Sequence, residues 1–500
     1  MEETAMALIR LNKVSKTFSQ GLFQGFSEKP VLENIDLTIH PGEFLALKGK
    51  SGAGKTTLLK IILGLLEPTS GEVQLMGLSP HLPESKTRIG VVFQEASLPE
   101  NMTAKELIQL VRSYYPDPLS TEEVIRAVNL TDEEQNTWAT QLPGGGKQRL
   151  YFGKALAGKP ALLILDEPTR NLDEDAYKEF WRQVARCRER GVTVLMVTHS
   201  ESDLNRLNQL ATRIVTLHKI TEAPASGQLS QQILRDTPAA TPVPAESIEM
   251  EPSLVPSQLQ RFTTLFKQQL WAEGLQILRT PTFLLGILFF AGFSAFLPGQ
   301  GDSAKQAILS FGGILLLTVA IDRLGKRVAV ERRDRWSRFL RSTPLPPAIY
   351  LAVKICTTLL VCAVSLLLIL VLGGGLHQVQ ASIGEWILLF LSLLIGVIPF
   401  ALLGLGLSYL IDPKSYDAVA GLALPIGLST SGAFPLSKSS FVQDLVAFSP
   451  FFHYQQLTLW AAGLEGYDQH IWLHILWLLW ASIVFGLATA WAYRRDQAVQ

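Results

Sequence analysis

The stretch "GKSGAGKTT" (49–57) follows the apolar run "EFLALKG" (43–49) and leads into "TTLLKIILGLL" (56–66). A strand-like run, a glycine-rich turn and a helix start, in that order, make the pattern that wraps phosphate groups. Glycines let backbone N–H groups curl around anionic oxygens, and the helix that follows points its positive end at them. In this arrangement Gly49, Ser51, Gly52, Gly54 and Thr57 line the phosphates. Lys55 reaches the β- and γ-phosphates, and the Thr56 hydroxyl is placed for Mg2+. The spacing predicts a nucleoside triphosphate site in an α/β domain.

Downstream, "ALLILDEPT" (161–169) is an apolar run that ends in two acids. A buried strand end is a costly place for paired carboxylates unless a cation waits there. Asp166 is therefore expected to hold Mg2+ and Glu167 to polarise an attacking water. "IGVVFQ" (89–94) and "VTVLMVTH" (192–199) are further apolar runs ending in polar residues. Near-continuous apolar strands between helical stretches predict a parallel sheet covered on both faces.

Five more stretches lie in order around these two: "VSKTF" (14–18), "VVFQEASL" (91–98), "LPGGGKQR" (142–149), "RNLDED" (170–175) and "VTHS" (197–200). With them, residues 1–221 resemble the ABC transporter nucleotide-binding domain, an α/β P-loop NTPase fold. The resemblance implies ATP and Mg2+ as cofactors. Phe18 matches the aromatic that stacks on adenine, with Phe23 and Phe26 as rivals in the insertion that follows. Gln94 matches the glutamine that touches Mg2+, Asp173 the acid of the loop after the catalytic carboxylate, and His199 the histidine at the γ-phosphate. Glu167, His199 and Gln94 are the expected catalytic set, and Thr56, Gln94 and Asp166 the expected Mg2+ set. The family signature reads leucine-serine-glycine-glycine-glutamine; here Pro143 replaces its serine and Gly146 its glutamine, on either side of Gly144 and Gly145 in the same loop. Proline has neither hydroxyl nor N–H to offer a phosphate.

The chain has 500 residues with 44 basic and 44 acidic side chains, so no net charge draws it to nucleic acid. That balance hides an asymmetry: eight of the ten tryptophans lie after residue 270, where long apolar runs take over. The start "MEETAMALIRLNKVSK" (1–16) lacks an apolar core of signal-peptide length and reads as a cytoplasmic start. Cys187, Cys356 and Cys362 show no metal-type spacing.

Residues 222–258 are rich in Pro, Ala, Ser and Gln and read as a linker. Residues 259–500 read as a permease domain: a surface helix over 260–279, then spans at 281–298, 305–322, 348–372, 383–411, 416–436 and 471–493. Eight basic residues between Arg323 and Arg341 put that connection inside, and "GGGLHQVQASIG" (373–384), without Lys or Arg, outside. This half resembles the type-2 exporter permeases, with "ERRDRWSRFLRSTPLPPAIYLAVK" (331–354) as the segment that docks on the ATPase domain and "GLALPIGLSTSGAFPLSKSS" (421–440) as an external re-entrant segment.

The span interiors hold almost no ionisable residue, and Lys354 and Glu385 sit near span ends, where they are expected to snorkel. An apolar or amphipathic cargo (drug, lipid or lipopeptide) fits such spans. His470 and His474 share a helix spacing, with His453 a third candidate for an interfacial or metal-binding role. The expected protein is an ATP-driven exporter half-transporter in a bacterial inner (plasma) membrane, with both termini cytoplasmic. Its expected partners are membrane lipid and a second copy (homodimer) or an unlike half, since each ATP in this family is sandwiched between two chains. The alternative is an ABC ATPase that mechanically gates a membrane complex without transport.

Overall fold

The computed structural model describes residues 7–20, 27–94, 98–170, 172–220, 235–238, 258–294, 296, 301–376, 379, 381–430, 446–464 and 470–499. Phe23, Phe26, most of 222–258 and residues 431–440 of the expected re-entrant segment lie outside these. The chain divides into two compact units. One comprises Met1–Gln269, Asp334–Ile349 and Ala498–Gln500, and the other Leu270–Arg333 and Tyr350–Gln497.

In the first unit, β1 (Ile9–Gln20) pairs antiparallel with β2 (Ser27–Ile39) and with β4 (Ser70–Leu75). The second sheet has the order β5 (Ile89–Val92), β6 (Leu162–Asp166), β7 (Thr193–Val197), β3 (Phe44–Lys48), β8 (Arg213–Thr216), β9 (Arg235–Pro238). From β5 to β8 every neighbouring pair is parallel, and β9 closes the edge antiparallel to β8. Strands β5, β6 and β7 are buried at every residue, and β3 at all but its last. The apolar runs follow from that burial on both faces. Leu45, Leu47, Leu59, Ile62, Ile164 and Leu195 belong to one core that also takes in the antiparallel sheet.

In the second unit the described residues contain four helices long and apolar enough to cross a membrane: Asp302–Arg333, Pro347–Gly375, Ile383–Leu410 and Ile471–Asp496. A fifth is reached only if Leu259–Leu278 and Pro281–Ser294, bent by 73° at their junction, count together as one span. The expected count of six is thus not reached among the described residues. The first expected span is a 14-residue helix, Pro281–Ser294, and the fifth is the short apolar helix Tyr416–Gly427. The second span does not end at residue 322 but runs on as helix into the basic stretch, through a π-turn at Thr318–Arg323. That turn frees a carbonyl, and the Tyr416 hydroxyl donates to Ile321 O at 2.6 Å.

The snorkelling expected of Lys354 is corrected by its surroundings. Lys354 is 1% exposed and pairs with Glu273 at 2.6 Å and with Glu331. Arg327 joins them, 2.8 Å from Glu273 and 3.6 Å from Glu331, and the Tyr350 hydroxyl donates to Glu331 at 2.5 Å. Two acids and two bases on three helices satisfy one another, so no charge has to reach water.

Candidate functional site

Parallel pairing sets the site. Leu47 on β3 and Asp166 on β6 are both register partners of Val197 on β7, so three strand ends form one row. Beyond this row the chain enters the glycine-rich turn, Glu167 and His199 respectively. A carboxyl-terminal edge of a parallel sheet is where such folds bind ligands.

The turn depends on glycine at two positions. Gly52 has φ +79° and Gly54 φ +99°, and a Cβ on Gly54 would stand 2.8 Å from Leu32 Cδ2. Helix Lys55–Ile62 starts there without a side-chain cap, which leaves its first N–H groups to a ligand. Lys55 Nζ donates to Gly49 O at 2.6 Å and to Lys50 O at 3.2 Å. Burial lowers the Lys55 pKa from its usual range, opposed by the charges of Glu167 and Asp166. Thr56 is exposed in the first turn of the helix.

Glu167 is held from two sides. His199 Nδ1 lies 2.6 Å from its Oε1, and Gln94 Nε2 donates to its Oε2 at 2.7 Å. The three residues expected to be catalytic are therefore brought together. Glu167 adopts φ +44°, a left-handed conformation costly for a non-glycine residue, while its N–H donates to Val197 O at 2.9 Å. Burial, and then the neighbouring Glu167 charge, pushes the Asp166 carboxyl up to about 6. Asp166 Oδ1 is buried without a hydrogen-bond partner, and an orphaned carboxylate oxygen of this kind suits a hard cation such as Mg2+.

The remaining expected residues are placed as follows. Phe18 is half-buried on β1, with Lys16 Nζ 5.2 Å from its ring centre. Asp173 caps helix Glu174–Glu189, accepting from Ala176 N at 2.8 Å. Pro143 is the N-cap residue of helix Gly144–Leu156, at φ −62° and ψ 163°, with no side-chain cap bond. Nothing stands within 4 Å of a Cβ built on Gly144, so that turn is open. Gly146 differs: a Cβ there would stand 2.9 Å from Glu134 Oε1, and Glu134 is paired with Arg149 of the same helix. The glycine leaves room for that pair.

Two supporting groups were not anticipated from sequence. Asp203, fully buried, accepts from Thr169 at 2.8 Å and from Thr198 at 2.7 Å, tying the loop after Glu167 to the His199 loop. Gln148 donates to Pro168 O at 2.9 Å, tying the signature helix to the same loop. An acid four positions after His199 was the available signal for Asp203.

In the second unit the histidine pairing differs from the expected spacing. His453 Nδ1 lies 2.7 Å from His474 Nδ1, the two side chains being buried against Phe452 and Trp477. Among the described residues no group of three or more His, Cys, Asp or Glu is arranged for a metal.

Comparison with known proteins identifies the family. Residues 32–170 match the ABC transporter family model, and residues 177–491 match that of the ABC-2 family transporter protein. The chain is 32% identical over 329 residues to a macrolide export ATP-binding/permease protein MacB of Syntrophobacter fumaroxidans, covering 61% of this chain and 44% of that one. It thus spans less than half the length of that relative. It is 38% identical over 228 residues to the lipoprotein-releasing system ATP-binding protein LolD 1 of Rhodospirillum rubrum, covering 43% of this chain and 96% of that one. A solved dimeric ATP-binding cassette in a post-hydrolysis state with ADP and Pi is 30% identical, covers 44% of this chain and 100% of its own, and has a TM-score of 0.38. With the phosphate loop, the paired acids and the apolar helices in place, the chain belongs to the ABC transporters: a multi-pass membrane protein with an ATP-hydrolysing cassette fused ahead of an ABC-2 permease domain.

Proposed function

We propose that the chain is one half of an ATP-driven exporter that moves an apolar or amphipathic molecule, such as a drug, lipid or lipopeptide, across a bacterial inner membrane. The observation that carries this reading is the Glu167 carboxylate held between Gln94 and His199 at the sheet edge that bears the open phosphate loop. Glu167 is the general base toward water, Lys55 and the loop N–H groups hold the phosphates, and His199 orients Glu167 and faces the γ-phosphate. Phe18 stacks on adenine. Thr56, Gln94 and Asp166 are the residues that would hold Mg2+, which supplies charge neutralisation at the phosphates. We assign residues 1–221 to the ATPase domain, 222–258 to the linker and 259–500 to a six-span permease. Two such halves, identical or unlike, meet so that Gly144, Gly145 and Asp173 of one face the nucleotide of the other.

Purified full-length protein in lipid is the test, because Pro143 marks the composite site. Pro143 already has the extended backbone of an N-cap residue, so Pro143→Ser restores both a cap and a phosphate donor without remodelling the turn. A hydrogen bond to a charged group contributes about 1.5–3 kcal/mol, which as transition-state stabilisation is roughly ten- to a hundredfold in turnover. A homodimer should gain that factor from the single substitution. Adding Gly146→Gln should bring less, since the new side chain must displace Glu134. Wild-type turnover that is already fast and does not rise in Pro143→Ser would contradict the assignment.

Orientation is tested separately in a cysteine-free background. Ser415→Cys, at an exposed position in the turn after helix Ile383–Leu410, should be shielded from an impermeant thiol reagent added to intact cells. Gly384→Cys, exposed at the start of that helix, should be labelled. The reverse pattern inverts the topology.

A further inference from the structure

The helix that begins at the altered signature carries a buried cation outside the ATP site. Lys154 is 2% exposed, and its Nζ has no hydrogen-bond partner. Three aromatic rings surround it instead: the Nζ lies 4.1 Å from the ring centre of Phe339, 5.1 Å from that of Tyr151 and 5.5 Å from that of Trp336. Tyr151 belongs to the signature helix itself. Trp336 and Phe339, stacked 5.1 Å apart, belong to the short helix Trp336–Arg341, which lies in sequence between two of the long apolar helices.

An ammonium without hydrogen bonds is costly to bury, and ring faces repay part of that cost by attracting the charge. Among the described residues no acid is paired with it. On the signature helix Arg149 is engaged by Glu134. From the facing segment Arg341 donates to Leu65 O at 3.0 Å, and the charges of Arg335, Arg338 and Arg341 act on Lys60. The neighbouring helices Ala104–Ser113 and Thr121–Val128 contribute no charge to it, burial being the whole cause of its shift.

We propose that Lys154 is a positioning residue that ties the signature helix to the segment Trp336–Arg341 through its cation–aromatic cage, so that movement of the signature on ATP is passed to the permease helices flanking that segment. This rests on reading residues 143–156 as the signature and its helix. Burial lowers the Lys154 pKa to about 7, so the tie is strongest below that pH, where the ammonium is present, and weakens as pH rises through it. The Tyr151 phenol, raised by burial, stays neutral throughout.

The test uses the full-length protein in lipid, with Lys154→Met and Lys154→Arg. ATP binding should stay within about twofold of wild type in both, while Lys154→Met loses about tenfold in turnover near pH 6.5 and Lys154→Arg recovers most of it. The ratio of wild-type to Lys154→Arg turnover should fall as pH rises through about 7, because guanidinium keeps its charge. A Lys154→Met protein with wild-type turnover, or a Lys154→Arg protein as impaired as Lys154→Met, overturns the proposal. If Lys154→Met does not fold, Phe339→Leu and Trp336→Leu decide: full turnover in both overturns it. A second arm needs no hydrolysis and so separates this proposal from the ATPase reading. Melting-temperature losses of Lys154→Met and Phe339→Leu should be less than additive in the double variant, and strict additivity would show that no contact exists.

Discussion

In the full-length chain, Glu167→Gln is expected to abolish steady-state ATP turnover while ATP still binds. Glutamine keeps the shape of glutamate and can still accept the bond that Gln94 donates, its NH2 then facing His199 Nδ1, but it loses the basic carboxylate. Loss of a general base of this kind costs about 10²–10⁴-fold. Binding is expected to survive because Lys55 and the loop N–H groups, the proposed phosphate ligands, are not touched by the substitution. Phosphate release and equilibrium binding of a fluorescent ATP analogue, measured on one preparation, separate the two effects. Turnover within a few-fold of wild type would remove Glu167 from the chemistry. Weakened binding with unchanged turnover would make it a structural residue of the loop.

Lys354→Met should destabilise the permease unit by about 3–5 kcal/mol, the usual loss when one partner of a buried ion pair is removed. Lys354 is 1% exposed and bonds both Glu273 and Glu331, so its removal leaves the two acids with Arg327 and the Tyr350 hydroxyl. For a unit of this size the expected fall in melting temperature in detergent is about 10 °C. Adding Glu273→Gln should recover a substantial part of it by removing one of the stranded charges. An unchanged melting temperature in Lys354→Met would show that the ammonium reaches water, as its place near a span end had suggested.

What the sequence makes legible, and what it hides, follows from how far apart the determining residues lie. Four of the five parallel strands announce themselves because burial on both faces demands apolar runs, and each run ends where polar loop chemistry begins. Glu167, Gln94 and His199 are readable because each sits just past such a run. The antiparallel sheet is harder to see: β1 shifts register between Leu11 and Val14 and again between Val14 and Lys16, which breaks the alternation that marks a strand. Lys354 is misread because Glu273 and Glu331, its partners, come from other helices, and a window of hydropathy cannot see them. For the same reason the second span seems to stop at its first arginine, although Arg327 and Arg332 are neutralised inside the unit by Glu273 and Asp496 and the helix continues. Asp203 is missed because its work lies in holding two loops together, which only the fold brings near.

The claim that hydrolysis at Glu167 drives movement through the permease is tested most directly in liposomes holding the full-length protein, with ATP supplied on the cassette side. The measurement is leaflet-resolved transfer of a panel of fluorescent short-chain phospholipids and amphipathic dyes. The account predicts that at least one of them leaves the cassette-facing leaflet in an ATP-dependent manner, and that Glu167→Gln or ADP in place of ATP stops it. Transfer that persists in Glu167→Gln, transfer toward the cassette side, or brisk hydrolysis with no transfer across the panel would contradict it.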